Sequence, residues 1–186
     1  IHIPRGDLLR HEVDNFCEAY ERAIEKAGGI DLQLLGIGRS GHIGFNEPGS
    51  WRNSPTQLVT LDPVTRRDAA SDFFGEENVP QQAITMGVGT ILSARKIIMM
   101  ARGEHKAPIV RRAVEGEVTE DIPASFLQTH PNASLAVDMA AAQDLTAIRV
   151  PWVTGTINWT PEMRKRAVIW LSQETGKPLL KLETSD

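Results

Sequence analysis

The sequence predicts an α/β protein, with a Rossmann-like three-layer parallel sheet between flanking helices. Three observations carry that reading. Short β-like runs alternate with helical patterns, which is how a layered α/β sheet is encoded. Ile30 to Ile37 is mostly apolar, as expected of a strand buried on both faces of a parallel sheet. That run leads into Gly36-Ile37-Gly38-Arg39-Ser40-Gly41-His42-Ile43-Gly44-Phe45-Asn46-Glu47-Pro48. Loops at the carboxyl ends of strands are where open α/β sheets hold their ligands.

Taken in order, Asp7 is a fitting N-cap. It precedes a helix in which Val13, Phe16, Cys17, Tyr20, Ile24 and Ala27 recur at helical spacing. Gly28-Gly29 ends this helix, and His11 falls on its solvent face. After the Gly-rich loop, Trp51 to Thr56 is polar and Gln57 to Leu61 reads as a short strand. Asp62-Pro63 turns the chain into a short helix over Val64 to Phe74, with Phe73-Phe74 packing inward. Ala83 to Met86 is a strand, and Gly87-Val88-Gly89-Thr90 opens a helix through Ala94.

Lys96 to Ala101 is the next strand and Ala107 to Glu115 the next helix, with Lys106 at their junction. Pro123 to Leu127 is a short helix or turn. His130-Pro131-Asn132 is a turn in which His130 has no clear partner. Ser134 to Val137 forms a strand, and Met139 to Leu145 a short helix. From Arg149 the pattern is irregular until Thr160-Pro161-Glu162, where Thr160 caps a helix and Pro161 enters its first turn. Met163, Ala167, Trp170 and Leu171 form its apolar stripe, and Gly176 with Pro178 ends it.

Composition narrows the function classes. A length of 186 residues fits one domain. The net charge of -4 and the scattered Lys and Arg residues speak against nucleic acid as a partner, because phosphate backbones require clustered cations. No apolar run approaches the ~20 residues that span a bilayer, so no membrane role is expected. Cys17 is the single cysteine, hence no intrachain disulfide; at an apolar helical position it is a small core residue. No secretory signal is visible, and the expected compartment is the cytoplasm. The chain begins at Ile1 without a methionine, as a processed or truncated product would.

The chemistry concentrates in the Gly-rich loop. Its glycines, Gly41 among them, allow positive φ and let a ligand approach main-chain N–H groups. His42 sits among them, and an imidazole with an unperturbed pKa of ~6.5 exchanges protons near neutrality. Glu47 follows five residues later, in a turn marked by Asn46, Pro48 and Gly49. From there a carboxylate can fold back, orient the imidazole and share its proton. Lys106, near a strand's carboxyl end, is placed to hold a phosphate as a point charge.

The loop closely resembles the signature of the glucosamine-6-phosphate deaminases (glucosamine-6-phosphate isomerases). Three further blocks agree in order and spacing. They are Val79-Pro80 with Ala83 to Leu92, Gly103 to Ala107 with Val114-Glu115-Gly116, and Pro123 to Gln128 with His130 to Ala133. The resemblance covers roughly Asp31 to Asp138. It implies conversion of glucosamine 6-phosphate and water to fructose 6-phosphate and ammonia, in amino-sugar and N-acetylglucosamine catabolism, with no cofactor and no metal. Under it, His42 assists ring opening, Glu47 orients His42, and Lys106 binds the phosphate.

Four departures from the family pattern shape the expectations. Ser40 stands where the family usually has an aspartate, and it completes a catalytic set with His42 and Glu47. Asp72 occupies the place of the phosphate-binding arginine, so Arg66 or Arg67 joins Lys106 and Gly41 in the substrate-binding set. Pro55 to Val59, where allosteric members carry basic residues, has no charge, which predicts no activation by an N-acetylated sugar phosphate. The long stretch that precedes this part in the family, with its phosphate loop and Asp-Glu-Tyr segment, is not found. The expectation is therefore a single truncated α/β domain over 1–186, lacking N-terminal strands and inactive alone. Its partners would be a sugar phosphate, a missing N-terminal segment or second domain, and optionally further copies in a homo-oligomer. Two other readings stand beside this one. Ser40 and Asp72 favour a noncatalytic sugar-phosphate sensor, which the His42 and Glu47 pair disfavours. A 6-phosphogluconolactonase-like hydrolase would lack the Phe45-Asn46-Glu47-Pro48 continuation.

Overall fold

In chain order the strands are β1 (Gln33–Gly36), β2 (Gln57–Thr60), β3 (Gln82–Thr85), β4 (Ile97–Ala101) and β5 (Ala133–Val137). They are interleaved with helices α1 (Val13–Lys26), α2 (Pro63–Ala69), α3 (Val88–Leu92), α4 (Ala107–Glu115) and α5 (Met139–Ala142). The computed structural model describes residues 1–185. Where the sequence predicts one domain, the chain forms two compact units, Ile1–Ala142 and a second from Gln143 onward. All five strands lie in the first unit; the second is helical.

β1, β4 and β5 form a parallel sheet in the order β1-β4-β5, with Leu35 opposite Met99 and Met99 opposite Leu135. β2 and β3 pair antiparallel in a separate two-stranded ribbon, so the sheet content is not wholly parallel as expected. Strand alternation puts Leu35, Ile97, Met99 and Ala101 on a buried face. Val88 and Ile91 of α3, Ile109 and Val110 of α4, and Phe126 complete this core. Burying each Ile or Val side chain contributes roughly 1.5–3 kcal/mol.

The other face of the sheet departs from expectation. Leu34 is 53% exposed and Met100 47% exposed, so the Ile30 to Ile37 run is buried on one side only. Its composition anticipates a layer on both faces, as parallel sheets have, whereas within the first unit Leu34 and Met100 face outward.

Other elements follow local rules more closely. α4 has the expected bounds, and Cys17 is buried in α1. α1 starts later than its cap signal, after a 3-10 turn at Arg10–Glu12 whose Leu9 N–H donates to the Glu12 carboxylate at 2.8 Å; the Asp7 carboxylate pairs with Arg5 at 2.9 Å. Asp62 caps α2 by accepting from the Val64 N–H at 2.7 Å. α2 ends at Ala69, short of Phe73-Phe74. The turns that follow carry Phe74 outward to 93% exposure with φ 59, which corrects the inward packing predicted for that pair. His130 has partners after all: its Nε2 lies 2.8 Å from the Ala94 carbonyl, and its Nδ1 accepts from the Asn132 N–H at 3.1 Å.

The second unit contains α6 (Thr146–Arg149), α7 (Pro151–Thr154) and α8 (Pro161–Thr175). Thr160 caps α8 by accepting from the Met163 N–H at 3.2 Å, and Gly176 ends it at φ +67. Trp152 contacts Trp159 and Trp170 at 6.4 and 5.9 Å between centroids, with the Arg166 guanidinium over its ring. Among the described residues no helix is long and apolar enough to cross a membrane.

Candidate active site

The chain leaves β1 at Gly36 and folds at once into a tight loop. The Gly41 N–H donates to the Gly38 carbonyl and the Gly38 N–H to the His42 carbonyl, both at 3.0 Å. Gly41 adopts φ +87, and a Cβ there would sit 2.7 Å from the Ile122 Cγ2, so only glycine fits. Its N–H is consumed inside the loop, which removes the donor that the sequence assigned to substrate. Gly38 serves a different purpose. A Cβ on it would lie 2.1, 2.2 and 2.4 Å from Cε1, Nε2 and Nδ1 of His42. The imidazole therefore occupies the space that a side chain at position 38 would fill.

Asn46 anchors the far end of the loop. It is wholly buried, and its amide donates to the carbonyls of Ile43 at 2.9 Å and Met86 at 2.8 Å. This ties the loop to the chain just after β3. Asn46→Ala would remove two buried hydrogen bonds that tie the loop to the chain after β3, and a loss of about 1–3 kcal/mol of stability is expected. Urea unfolding of the variant against the parent protein measures it.

Glu47 then returns its carboxylate to the imidazole. The side chains of His42 and Glu47 are 17% and 12% exposed, and Nδ1 lies 3.1 Å from Oε2. Ser40 Oγ stands 3.0 Å from the same Nδ1 and donates to Oε2 at 3.3 Å. From α2, Thr65 Oγ1 approaches Nδ1 at 3.2 Å, and the Asp62 N–H donates to Oε1 at 3.3 Å. Burial by itself would push the Glu47 carboxyl up. The hydrogen bonds from His42, Thr65 and the Asp62 amide, with the attraction of the His42 charge, outweigh it and hold the group below the usual carboxylate range. An ionised carboxylate can only accept. Nδ1 of His42 therefore carries a proton toward Glu47, and Nε2 is the ring nitrogen left to exchange one.

Lys106 closes the short 3-10 turn Glu104–Lys106 after β4 and stands at the start of α4. Its ammonium donates to the Ile37 carbonyl at 2.8 Å, one residue before the glycine against which His42 lies. Burial lowers its pKa; attraction by Asp68 opposes that shift and repulsion by Arg39 adds to it. Arg39 and Asp68 form a two-pronged ion pair, Nε to Oδ2 at 2.9 Å and Nη2 to Oδ1. An open depression of about 430 Å³, bordered by Glu47, Ser50, Trp51 and Thr60 among others, lies beside the carboxylate.

The structure thus gathers Ser40, His42 and Glu47 and sets Lys106 against the same loop. It does not gather the two arginines. Arg66 donates to the Glu76 carbonyl at 3.0 Å, beyond the end of α2, and Arg67 is exposed. Arg39 is the guanidinium close enough to act on Lys106. Sequence reasoning missed Thr65, Asp62 and Asp68. Nothing local marks them, because their roles depend on where α2 docks. Among the described residues no group of three His, Cys, Asp or Glu side chains could hold a metal ion.

Comparison with known proteins gives a consistent picture. The family model described as glucosamine-6-phosphate isomerases/6-phosphogluconolactonase matches residues 2–136. A glucosamine-6-phosphate deaminase of Geobacillus sp. is 51% identical over 140 residues, which are 75% of this chain and 55% of that protein. A glucosamine-6-phosphate deaminase-like protein of Bacteroides thetaiotaomicron is 47% identical over 186 residues, all of this chain but 28% of that protein. Among solved structures, a monomeric glucosamine-6-phosphate deaminase superposes with a TM-score of 0.73 at 43% identity, over 77% of this chain and 58% of that one. A 6-phosphogluconolactonase from Trypanosoma cruzi shares the fold, with a TM-score of 0.57 at 21% identity over 76% of this chain and 55% of that one. The chain spans about half the length of the deaminases it matches.

Proposed function

Since the chain belongs to the glucosamine-6-phosphate isomerase/6-phosphogluconolactonase family, we propose that it acts in a glucosamine-6-phosphate deaminase. The reaction converts glucosamine 6-phosphate and water to fructose 6-phosphate and ammonia, in the cytoplasmic breakdown of amino sugars such as N-acetylglucosamine. The observation that carries this reading is the His42–Glu47 pair at 3.1 Å, in a loop that also receives the Lys106 ammonium.

Each group has a role in the proposal. Lys106 takes the phosphoryl group as a point charge. Nε2 of His42 exchanges a proton at the ring oxygen, which opens the sugar, while Glu47 orients the imidazole and stabilises its charged form. Ser40 supports Glu47 as a neutral donor. Moving the C2 proton requires a further base, which we assign to polypeptide beyond 1–186. The extra length of the relatives leaves room for such a segment, and the exposed Leu34 and Met100 offer it a sheet face to cover. Without it, 1–186 is expected to turn over little or no substrate. The uncharged stretch from Pro55 to Val59 supports the absence of activation by an N-acetylated sugar phosphate.

The test is release of ammonia and fructose 6-phosphate from glucosamine 6-phosphate by the complete protein. Lys106→Gln is expected to raise KM about ten- to a hundredfold, the scale of a lost charge-assisted hydrogen bond, with kcat less affected. Hydrolysis of 6-phosphogluconolactone in place of this reaction would identify a lactonase. Saturable binding of the sugar phosphate without turnover would identify a sensor.

A further inference from the structure

The Lys106 ammonium is carried by a short segment that starts on a glycine. Gly103 opens the 3-10 turn Glu104–Lys106 with φ +89, and its carbonyl accepts from the Lys106 N–H at 3.0 Å. Glycine has the most backbone freedom to lose on folding, so a turn that begins on one needs an anchor from elsewhere. The anchor stands at the end of the neighbouring strand. Asp138 directly follows β5, beside the end of β4, because Val137 pairs with Ala101. Its carboxylate accepts from the Gly103 N–H with both oxygens, at 3.1 Å each, and Oδ1 also accepts from the Ala141 N–H at 2.8 Å.

We propose that Asp138 is a positioning residue: by holding the Gly103 N–H it fixes the turn that carries Lys106, and so sets where the ammonium meets a phosphoryl group. The catalytic consequence rests on the proposed deaminase reading; the structural one does not. The path is short. Asp138 accepts the N–H of Gly103, the carbonyl of Gly103 accepts the N–H of Lys106, and the Lys106 ammonium reaches the Ile37 carbonyl at 2.8 Å. The segments that leave β1, β4 and β5 are thereby joined across the carboxyl ends of three adjacent strands.

The second oxygen separates this arrangement from an ordinary helix cap. Capping α5 occupies Oδ1 alone, through the Ala141 N–H. Oδ2 faces the Gly103 N–H and, at 3.8 Å, the Nε of Arg102. The Arg102 side chain is 94% exposed, and such a surface ion pair contributes little. The amides of Ala141 and Gly103 are the main reason that the Asp138 carboxyl lies below the usual carboxylate range. The group is ionised near neutrality, and hydrogen bonds to an ionised acceptor are stronger than neutral ones.

The test uses Asp138→Ser in the complete protein. Serine is a good N-cap and keeps the bond to Ala141, but its side chain is too short to span to Gly103. KM for glucosamine 6-phosphate is expected to rise about tenfold, the scale of one hydrogen bond to a charged group, with kcat little changed. In a Lys106→Gln background the same substitution should add nothing, because the cation it displaces is already gone. A further readout needs no turnover. Amide hydrogen exchange at Gly103 should be slow in the parent and fast in Asp138→Ser, while α4 stays protected in both. If Asp138→Ser leaves KM unchanged, if its effect is as large without Lys106 as with it, or if the Gly103 amide of the parent exchanges as freely as an open loop, the inference is overturned. Absent turnover in the parent would sink the deaminase reading alone; the proposal is then read on saturation binding of the sugar phosphate, with the same loss of affinity expected.

Discussion

Gly38→Ala is expected to reduce kcat/KM of the complete protein about a hundredfold while leaving its stability nearly unchanged. The added methyl would lie 2.1–2.4 Å from three ring atoms of His42, so the imidazole must leave its place. Gly38 has no left-handed backbone to lose, and the three atoms nearest the new methyl all belong to that side-chain ring. Misplacing a catalytic group by about 1 Å costs on the order of a hundredfold. Steady-state kinetics alongside thermal unfolding separates the two effects. A variant with parental kcat/KM would show that the ring position does not matter to catalysis. A variant that fails to fold would show that the loop has less tolerance than its contacts indicate.

His42→Gln is expected to have the larger effect, a fall in kcat of roughly 10²–10⁴, the usual contribution of a positioned general acid–base. Glutamine retains a polar end that can bond to Glu47, so the loop should stay closed and the protein folded. KM for glucosamine 6-phosphate should change little, since phosphate recognition is assigned to Lys106. Initial rates of ammonia release give kcat, and saturation binding of the sugar phosphate gives affinity. An unchanged kcat would remove the imidazole from the reaction. Parental affinity together with a lost rate is the pattern the proposal requires.

Much of this architecture is legible residue by residue. α4 begins and ends where its apolar spacing places it, and Thr160 caps α8 as its position before Pro161 suggests. These features are local, set by capping and periodicity within a few residues. The His42 and Glu47 pair is legible for a similar reason: the turn at Asn46-Pro48-Gly49 is short enough to return a carboxylate to the imidazole. What is not legible depends on distant segments. Thr65 reaches His42, and the Asp62 N–H reaches Glu47, only because α2 docks on the loop, a tertiary fact with no local signature. Arg66 looked suitable by chemistry, yet the turns after α2 draw its guanidinium to the Glu76 carbonyl. Leu34 reads as buried from its apolar neighbours, and it is exposed because burial also requires a layer on the second face. Phe74 is a related case, since a helix that stops at Ala69 cannot carry it inward.

The position of a bound sugar phosphate tests the central claim most directly. A crystal structure of the complete protein with a nonreacting glucosamine 6-phosphate analogue would supply it. The account predicts the phosphoryl group within ion-pair distance of the Lys106 ammonium and the ring oxygen within hydrogen-bond reach of Nε2 of His42. A ligand held elsewhere, with Lys106 still bonded to the Ile37 carbonyl and Nε2 facing only solvent, would contradict it.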